Sequence, residues 1–449
     1  MQEYRHQMSS VPSTPAEQVD AIFRVLEADI TGKDPLSNKE LGELLKDLRG
    51  IGHDVSVLDT FTINRLDLLV KYGSNTREEF IRLDALRIIA NALLLSSILR
   101  QEWDNAIYLA EDYNTPSIDE EFIIGRILFL TTLVQRDYPS NVQNALKAYV
   151  YRCILRDADE PLTEYAQNGL RETCKLLFNI LLKFTDDSYQ YEQLTQPLMR
   201  ILNHLPHHIN TTTSSVISCL LKLPCIPEVF APRDDPSSSV QLLLTILENT
   251  LRSESPEHPQ IDDLVTPLLL VVLKIMCELN NDSVNSVIRL RILPTDEDRL
   301  QPLGSSTSLS SLLLRLGSRI DTSTSKEVSQ QLLWNASDED AGKFATNIGL
   351  GNAIGYLVNH DIQVSKDLLQ QMEKFVNVAR QDINPITGQL QTAELNQYGL
   401  DALTEMTEEE KEREAERLFI LFERLRANNV IKADNPLRVA LESGKLENL

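Results

Sequence analysis

An all-α fold of stacked amphipathic helices is what this sequence predicts, and three observations carry the prediction. Apolar residues recur at three- and four-residue spacing through most of the chain, as in Leu83, Leu86, Ile89, Ala90, Leu93 and Leu94, which would share one helix face. Strand signals are missing: no Asn-Gly or Asp-Gly stands between alternating β-branched runs, and the 16 glycines fall mostly between helical patterns. Third, the most apolar helices resemble one another. Each carries a polar or basic residue, two aliphatics, a variable core residue and then usually Asn: Arg87-Ile-Ile-Ala-Asn91, Lys175-Leu-Leu-Phe-Asn179, Lys274-Ile-Met-Cys-Glu278 and Gln331-Leu-Leu-Trp-Asn335.

The first two instances are 88 residues apart, about twice the ~40–47-residue period of armadillo and HEAT repeats. The pattern therefore predicts an armadillo/HEAT-type helical-repeat solenoid, in which each helix pair buries its apolar face against its neighbours and one helix per repeat lines a concave groove. The basic residue and the Asn stand four apart, which puts both on one helix face.

In chain order, residues 1–15 are expected to be disordered, residues 16–370 to form the repeat array, and residues 371–449 to form a C-terminal tail. Segments rich in Pro, Ser, Asp and Glu at 231–239, 253–263 and 294–308 are expected to be solvated loops between repeats. Within the tail, Thr407 followed by Glu410 makes a capping box that opens an amphipathic helix over about 407–427. Ala415, Leu418, Phe419, Phe422 and Leu425 form its apolar stripe, and charged residues largely fill the flanks. Such a stripe needs a partner, either the chain's own array or another protein.

Composition then narrows the function. A chain of 449 residues, 42% hydrophobic, can bury a sizeable core. Its formal net charge of −23 disfavours nucleic acid and anionic membranes, because neutralising phosphates takes clustered Lys and Arg. A local basic patch in such a protein can still take an acidic or carboxylate-bearing peptide. The first twenty residues hold no apolar signal region, so a cytoplasmic location is expected. The most apolar stretch, 264–279, is interrupted by Pro267 and Lys274 and is too short to span a bilayer, so a buried helix is expected there. Five scattered cysteines, Cys153, Cys174, Cys219, Cys225 and Cys277, give no disulfide framework.

Nothing in the motifs calls for covalent chemistry. His204, His207 and His208 invite a metal reading, yet Pro206 interrupts the helix that would align them and no Cys or carboxylate stands at ligand spacing. Gly349-Leu-Gly351-Asn-Ala-Ile-Gly355 imitates a dinucleotide fingerprint, but its third glycine comes one residue late and no strand precedes it. These glycines are expected to end one helix, start the next and allow close packing. No nucleophile elbow, zinc-protease or phosphate-loop motif is present. A binding protein that needs no cofactor or metal is therefore expected.

The C-terminal third resembles the synembryn family, also called resistance to inhibitors of cholinesterase, in several places and in the same order. Leu332-Leu-Trp-Asn-Ala-Ser-Asp-Glu-Asp340 leads into the segment Gly342–Gly355, similar to the family's last repeat and glycine-rich turn. Ile383-Asn-Pro-Ile-Thr-Gly388 is similar to its I-N-P-V-T-G element, and residues 406–419 with 429–431 to its terminal helix and the segment after it. The N-terminal two-thirds matches more diffusely, chiefly at 86–97 and 170–182.

The resemblance implies a chaperone and non-receptor guanine nucleotide exchange factor for Gα subunits of heterotrimeric G proteins. Such a protein binds GDP-bound or nascent Gα, holds the nucleotide-free form and lets GTP bind. It also implies that the groove receives the C-terminal helix of Gα while the tail helix contacts the nucleotide-binding domain. Carried over by position, Arg87, Asn91, Lys175 and Asn179 face the groove, and Thr407, Glu410, Leu418, Phe419 and Phe422 belong to the second contact. A monomer, brought to the cell cortex through Gα, is expected. The alternative is an armadillo-type scaffold or adaptor without exchange activity. One departure stands out: animal members carry an acidic, phosphorylatable tract where residues 356–382 here read as an amphipathic helix. Ser337, ahead of three acidic residues, reads either as a phosphosite or as a helix N-cap.

Overall fold

The computed structural model describes residues 14–362, apart from 75–76, 113–115, 135–136, 184–187, 236, 255–259 and 320–322, together with 383–384 and 386–390. Helices dominate them, as the periodicity predicts. Those of eight residues or more are α1 (Pro15–Ile30), α2 (Asn38–Ile51), α3 (Ile63–Tyr72), α4 (Glu79–Leu95), α5 (Ile118–Thr132), α6 (Ser140–Asp157), α7 (Gln167–Lys183), α8 (Thr195–His204), α9 (Thr211–Lys222), α10 (Ser238–Ser253), α11 (Ile261–Leu279), α12 (Asp282–Ile292), α13 (Leu309–Gly317), α14 (Thr324–Ala336), α15 (Ala341–Ile348) and α16 (Leu350–Asn359). Among the described residues the one β feature is an isolated antiparallel bridge between Ile383 and Leu390.

Local sequence explains where many of these helices start. Thr14 with Glu17, Ser37 with Glu40, and Ser117 with Glu120 form capping boxes on α1, α2 and α5, each satisfying backbone N–H groups that the first turn leaves orphaned. Asn210 and Asn281 cap α9 and α12, each side-chain oxygen accepting from two backbone amides. Asn280 ends α11 in the left-handed conformation, which Asn tolerates better than most residues.

The chain divides into two compact units, residues 1–229 and 230–449. In the first, α2 packs on α4, α4 on α5, α5 on α7 and α7 on α9, so these five helices form one continuous row. Helices α3, α6 and α8 pack behind that row, against α4, α7 and α9 respectively or against each other. Neighbour-only packing of this kind is what a helical-repeat array requires. In α4, Leu83, Leu86, Ile89, Ala90 and Leu93 are buried as the spacing predicts, but Leu94 is 55% exposed. It is the penultimate residue of α4, in the last turn, where the buried stripe runs out.

In the second unit α11 and α14 make the main contact, with α10, α12 and α13 around them and the α15–α16 pair at the end. The apolar stretch 264–279 forms most of α11 and buries Val265, Leu268, Leu269, Val271, Val272, Ile275 and Met276 despite the internal Pro267. No described helix is long and apolar enough to cross a membrane. All five cysteines are free thiols, and Cys153, Cys174 and Cys219 are buried.

Two local expectations need correction. Segment 294–308 is not simply a solvated loop. Asp298 and Arg299 are buried in it, and the Asp298 carboxylate accepts from Ser306, Ser308 and Ser310 hydroxyls at 2.6, 2.7 and 2.9 Å and from the Thr295 amide at 3.0 Å. Those hydrogen bonds hold its carboxyl below the usual carboxylate range against the opposing effect of burial. Ser and Asp signalled a turn, and here they satisfy one another instead of water. Ser337 is likewise no N-cap: it follows the last turn of α14, is buried, donates to the Leu333 carbonyl at 2.9 Å and accepts from Asn347. Asp340 is the residue that caps α15.

Candidate functional site

The row of helices in the first unit presents a repeated polar constellation. Asp84, Arg87 and Asn91 on α4, and Glu172, Lys175 and Asn179 on α7, occupy the same three-then-four spacing, which places each trio along one helix face. The Asp84 carboxylate accepts from Arg87 at 3.4 Å and from Arg49 of α2 at 2.5 Å. Glu172 does the same, accepting from Lys175 at 3.0 Å and from Arg126 of α5 at 3.1 Å. In both cases a largely buried carboxylate is shared by its own i+3 cation and by a cation from the preceding helix of the row.

The asparagines repeat the scheme one turn further on. Asn91 Nδ2 lies 3.4 Å from His53 Nδ1, just beyond α2, and Asn179 Nδ2 donates to Thr132 Oγ1 of α5 at 3.0 Å. Beyond the asparagines the face turns apolar: Leu94, Leu133 and Leu182, at the ends of α4, α5 and α7, are each about half exposed.

Two cations around one carboxylate leave a formal charge of +1 at each station, inside a chain whose total is −23. The Arg and Lys side chains remain 31–43% exposed, while Asp84 and Glu172 are 14% and 4% exposed. The acids are therefore inside and the cations outside. Aromatic rings back the second station, with Arg126 over Phe122 at 4.6 Å and Lys175 over Phe129 at 5.6 Å. Glu172 Oε2 has no hydrogen-bond partner among the described residues. Chemically the face can accept carboxylates by charge-assisted hydrogen bonds, with an apolar edge for aliphatic side chains.

Beneath this face, between α5, α6 and α7, lies a second acidic pair. Glu121 and Asp157 are both buried and share the guanidinium of Arg156, while Thr173 donates to Glu121 at 3.3 Å. Burial, aided by the negative charge of Asp157, pushes the Glu121 carboxyl up to about 7 against the pull of Arg156. Burial also raises Asp157.

The structure thus brings Arg87 and Asn91 together on α4 and Lys175 and Asn179 together on α7. The tail candidates Thr407, Glu410, Leu418, Phe419 and Phe422 lie outside the described residues. In the second unit the corresponding positions are Lys274 with Glu278 on α11 and Gln331 with Asn335 on α14. Asn335 again reaches back along the sequence, its Nδ2 lying 3.5 Å from Cys277 Sγ of α11. Sequence reasoning missed Arg126, Asp84 and Glu172. Arg126-Ile-Leu-Phe keeps the first four positions of the motif, 39 residues after Arg87 and 49 before Lys175, but Leu130 stands where the Asn would. The acids were legible only as members of the repeated pattern acid-x-x-base-x-x-x-Asn.

Comparison with known proteins adds a family. The model described as guanine nucleotide exchange factor synembryn matches residues 44–445. The chain is 24% identical over 445 residues to chaperone Ric-8A of Pongo abelii, an alignment covering 86% of this chain and 81% of that protein. It is 24% identical over 407 residues to chaperone Ric-8 of Drosophila pseudoobscura pseudoobscura, covering 78% and 70%. A synembryn-like chaperone of Schizosaccharomyces pombe is 29% identical over 192 residues, covering 40% of this chain and 35% of that protein.

Proposed function

This chain belongs to the synembryn family, and on that premise we propose that it is a chaperone and guanine nucleotide exchange factor for Gα subunits, working through the cationic face of its first unit. The observation that carries the reading is the pair of charge stations, Arg49–Asp84–Arg87 and Arg126–Glu172–Lys175, which holds positive charge outward in a strongly acidic chain. Such a face fits the C-terminal helix of Gα with its free carboxylate and acidic side chains. Leu94, Leu133 and Leu182 offer the apolar contact that an amphipathic helix in a groove requires.

Exchange then needs no covalent step. A partner accelerates GDP loss only by binding the nucleotide-free state of Gα more tightly than the filled one, since an equilibrium shifts only by differential affinity. Holding the terminal helix of Gα away from its own domain supplies that difference, because the helix supports the loop beneath the guanine base. GTP restores the helix and ends the complex. The capped helix expected over about 407–427 supplies a second contact on the nucleotide-binding domain. The protein acts in the cytoplasm and reaches the cell cortex through Gα.

The test is affinity for one Gα subunit in two states. Nucleotide-free Gα should bind roughly 10- to 100-fold more tightly than GDP-bound Gα, with GDP release accelerated in a stopped assay, and truncation before Met406 should reduce that acceleration. Equal affinities, with no change in GDP release, would remove the exchange reading and leave a chaperone without exchange activity or a scaffold.

A further inference from the structure

The second unit carries a docking arrangement that the cationic face does not explain. Segment 383–390 returns to the α15–α16 junction, and the two are held by main-chain hydrogen bonds from both sides. The Ile386 carbonyl accepts from the Gly351 amide at 3.0 Å. That amide belongs to the first turn of α16, which has no side-chain cap, so a distant carbonyl satisfies one of its orphaned donors. Arg299, buried beside the Asp298 knot, donates from one guanidinium nitrogen to the Gly388 carbonyl at 2.6 Å and from the other to the Asn347 carbonyl at 2.8 Å. Its own carbonyl accepts from the Leu390 amide at 2.9 Å.

The segment is shaped to be held. The Gly388 amide donates to the Asn384 carbonyl at 2.8 Å, the Asn384 amide to the Gln389 carbonyl at 2.7 Å, and the Ile386 amide to Asn384 Oδ1 at 2.8 Å. Ile383 and Gln389 are buried. Two glycines meet across the contact, both in the left-handed region, Gly349 at φ 79° and Gly388 at φ 75°. A Cβ on Gly349 would come within 2.8 Å of the Thr387 carbonyl carbon, and one on Gly388 within 3.2 Å of the Gly349 amide nitrogen. Gly349 therefore cannot take a side chain without parting the two surfaces, whereas at Gly388 the positive φ strains any other residue and a Cβ would come within 2.5 Å of Leu303 Cδ1.

We propose that the α15–α16 junction together with Arg299 is an intramolecular docking site for the chain's own segment 383–390, a latch that ties this segment to the last described helices of the array. The guanidinium is the lock, because one planar fork reads a carbonyl from each side. When the latch is seated the first turn of α16 is capped; when it opens, the junction and segment 383–390 loosen together.

Hydrogen exchange on the full-length chain, resolved by peptide, tests this with two variants. Gly388→Val strains the segment, and Arg299→Lys keeps the charge but loses the two-carbonyl fork. Each should speed exchange in peptides spanning 341–359 and 383–390 together, by about tenfold or more, while peptides of α7 keep their protection. Should 341–359 stay as protected as in the unaltered chain while 383–390 exchanges freely in either variant, the latch does not exist. Retained protection of 383–390 in both variants would overturn it equally.

Discussion

The two units spend their inner polar positions differently. In the first, each station couples a buried carboxylate to two outward cations, Asp84 with Arg49 and Arg87, Glu172 with Arg126 and Lys175. In the second, Gln331 replaces the cation on α14, donating to Asn335 at 2.6 Å and accepting from the Tyr356 hydroxyl at 2.6 Å. Behind it Trp334, Phe344 and Tyr356 pack as an aromatic cluster with ring centroids 5.4–5.9 Å apart. One short motif has thus been turned toward charge display in one unit and toward cohesion of the terminal helices in the other. The lesson is that a repeat motif fixes where a side chain stands on its helix, while its neighbours decide whether it offers charge or completes a core.

The sharpest way to break this contrast is to remove the aromatic cohesion. Phe344 is fully buried, so Phe344→Ala should cost about 3–5 kcal/mol. The loss should appear as faster hydrogen exchange in α14–α16, with α4–α7 unchanged; equal loosening of both units would deny their separate roles.

Charge reversal probes the other side. Arg87→Glu with Lys175→Glu should weaken Gα binding by about 100-fold or more, roughly 3 kcal/mol, with far-ultraviolet circular dichroism unaltered. Lys274→Glu with Gln331→Glu in the second unit should change affinity by no more than about threefold. Calorimetric titration of both pairs decides it, and comparable losses would remove the assignment of the cationic face.

The smallest effect is a pH dependence confined to the first unit. Glu121 has its carboxyl raised to about 7 when folded, against about 4.3 for an unfolded Glu. Between those values the folded state keeps a proton that the unfolded state has released, so this contribution is complete below about pH 4 and is lost as pH rises through about 7. Asp157, raised in the same direction, adds to the trend. Protection of α5–α7, corrected for intrinsic exchange, should therefore decline from pH 6 to pH 8. Glu121→Gln should flatten that decline, and an unchanged slope in the variant would acquit Glu121.

Much of the fold could be read directly. The stripe Leu83, Leu86, Ile89 and Leu93 gave the buried face of α4, and Gly349 was correctly assigned to the break between two helices, because helix periodicity and backbone freedom are local properties. The cationic face was half legible. Arg87 and Lys175 could be named from a motif, but Asp84 and Glu172 look like ordinary surface acids until the preceding helix brings a second cation to each. Arg126 was hidden because its helix carries Leu130 at the Asn position.

By itself, then, the sequence determined the helices, many of their caps, the face on which Arg87, Asn91, Lys175 and Asn179 stand, and the family resemblance of the C-terminal third. Tertiary structure alone decided which acids are buried beneath those cations, that Glu121 and Asp157 share one guanidinium, and that Arg299 closes on Gly388. Hydrogen bonding and periodicity within a helix reach about four residues along the chain, whereas the long-range partner in each of these contacts stands 35 to 89 positions away. Only packing brings such groups within range of one another.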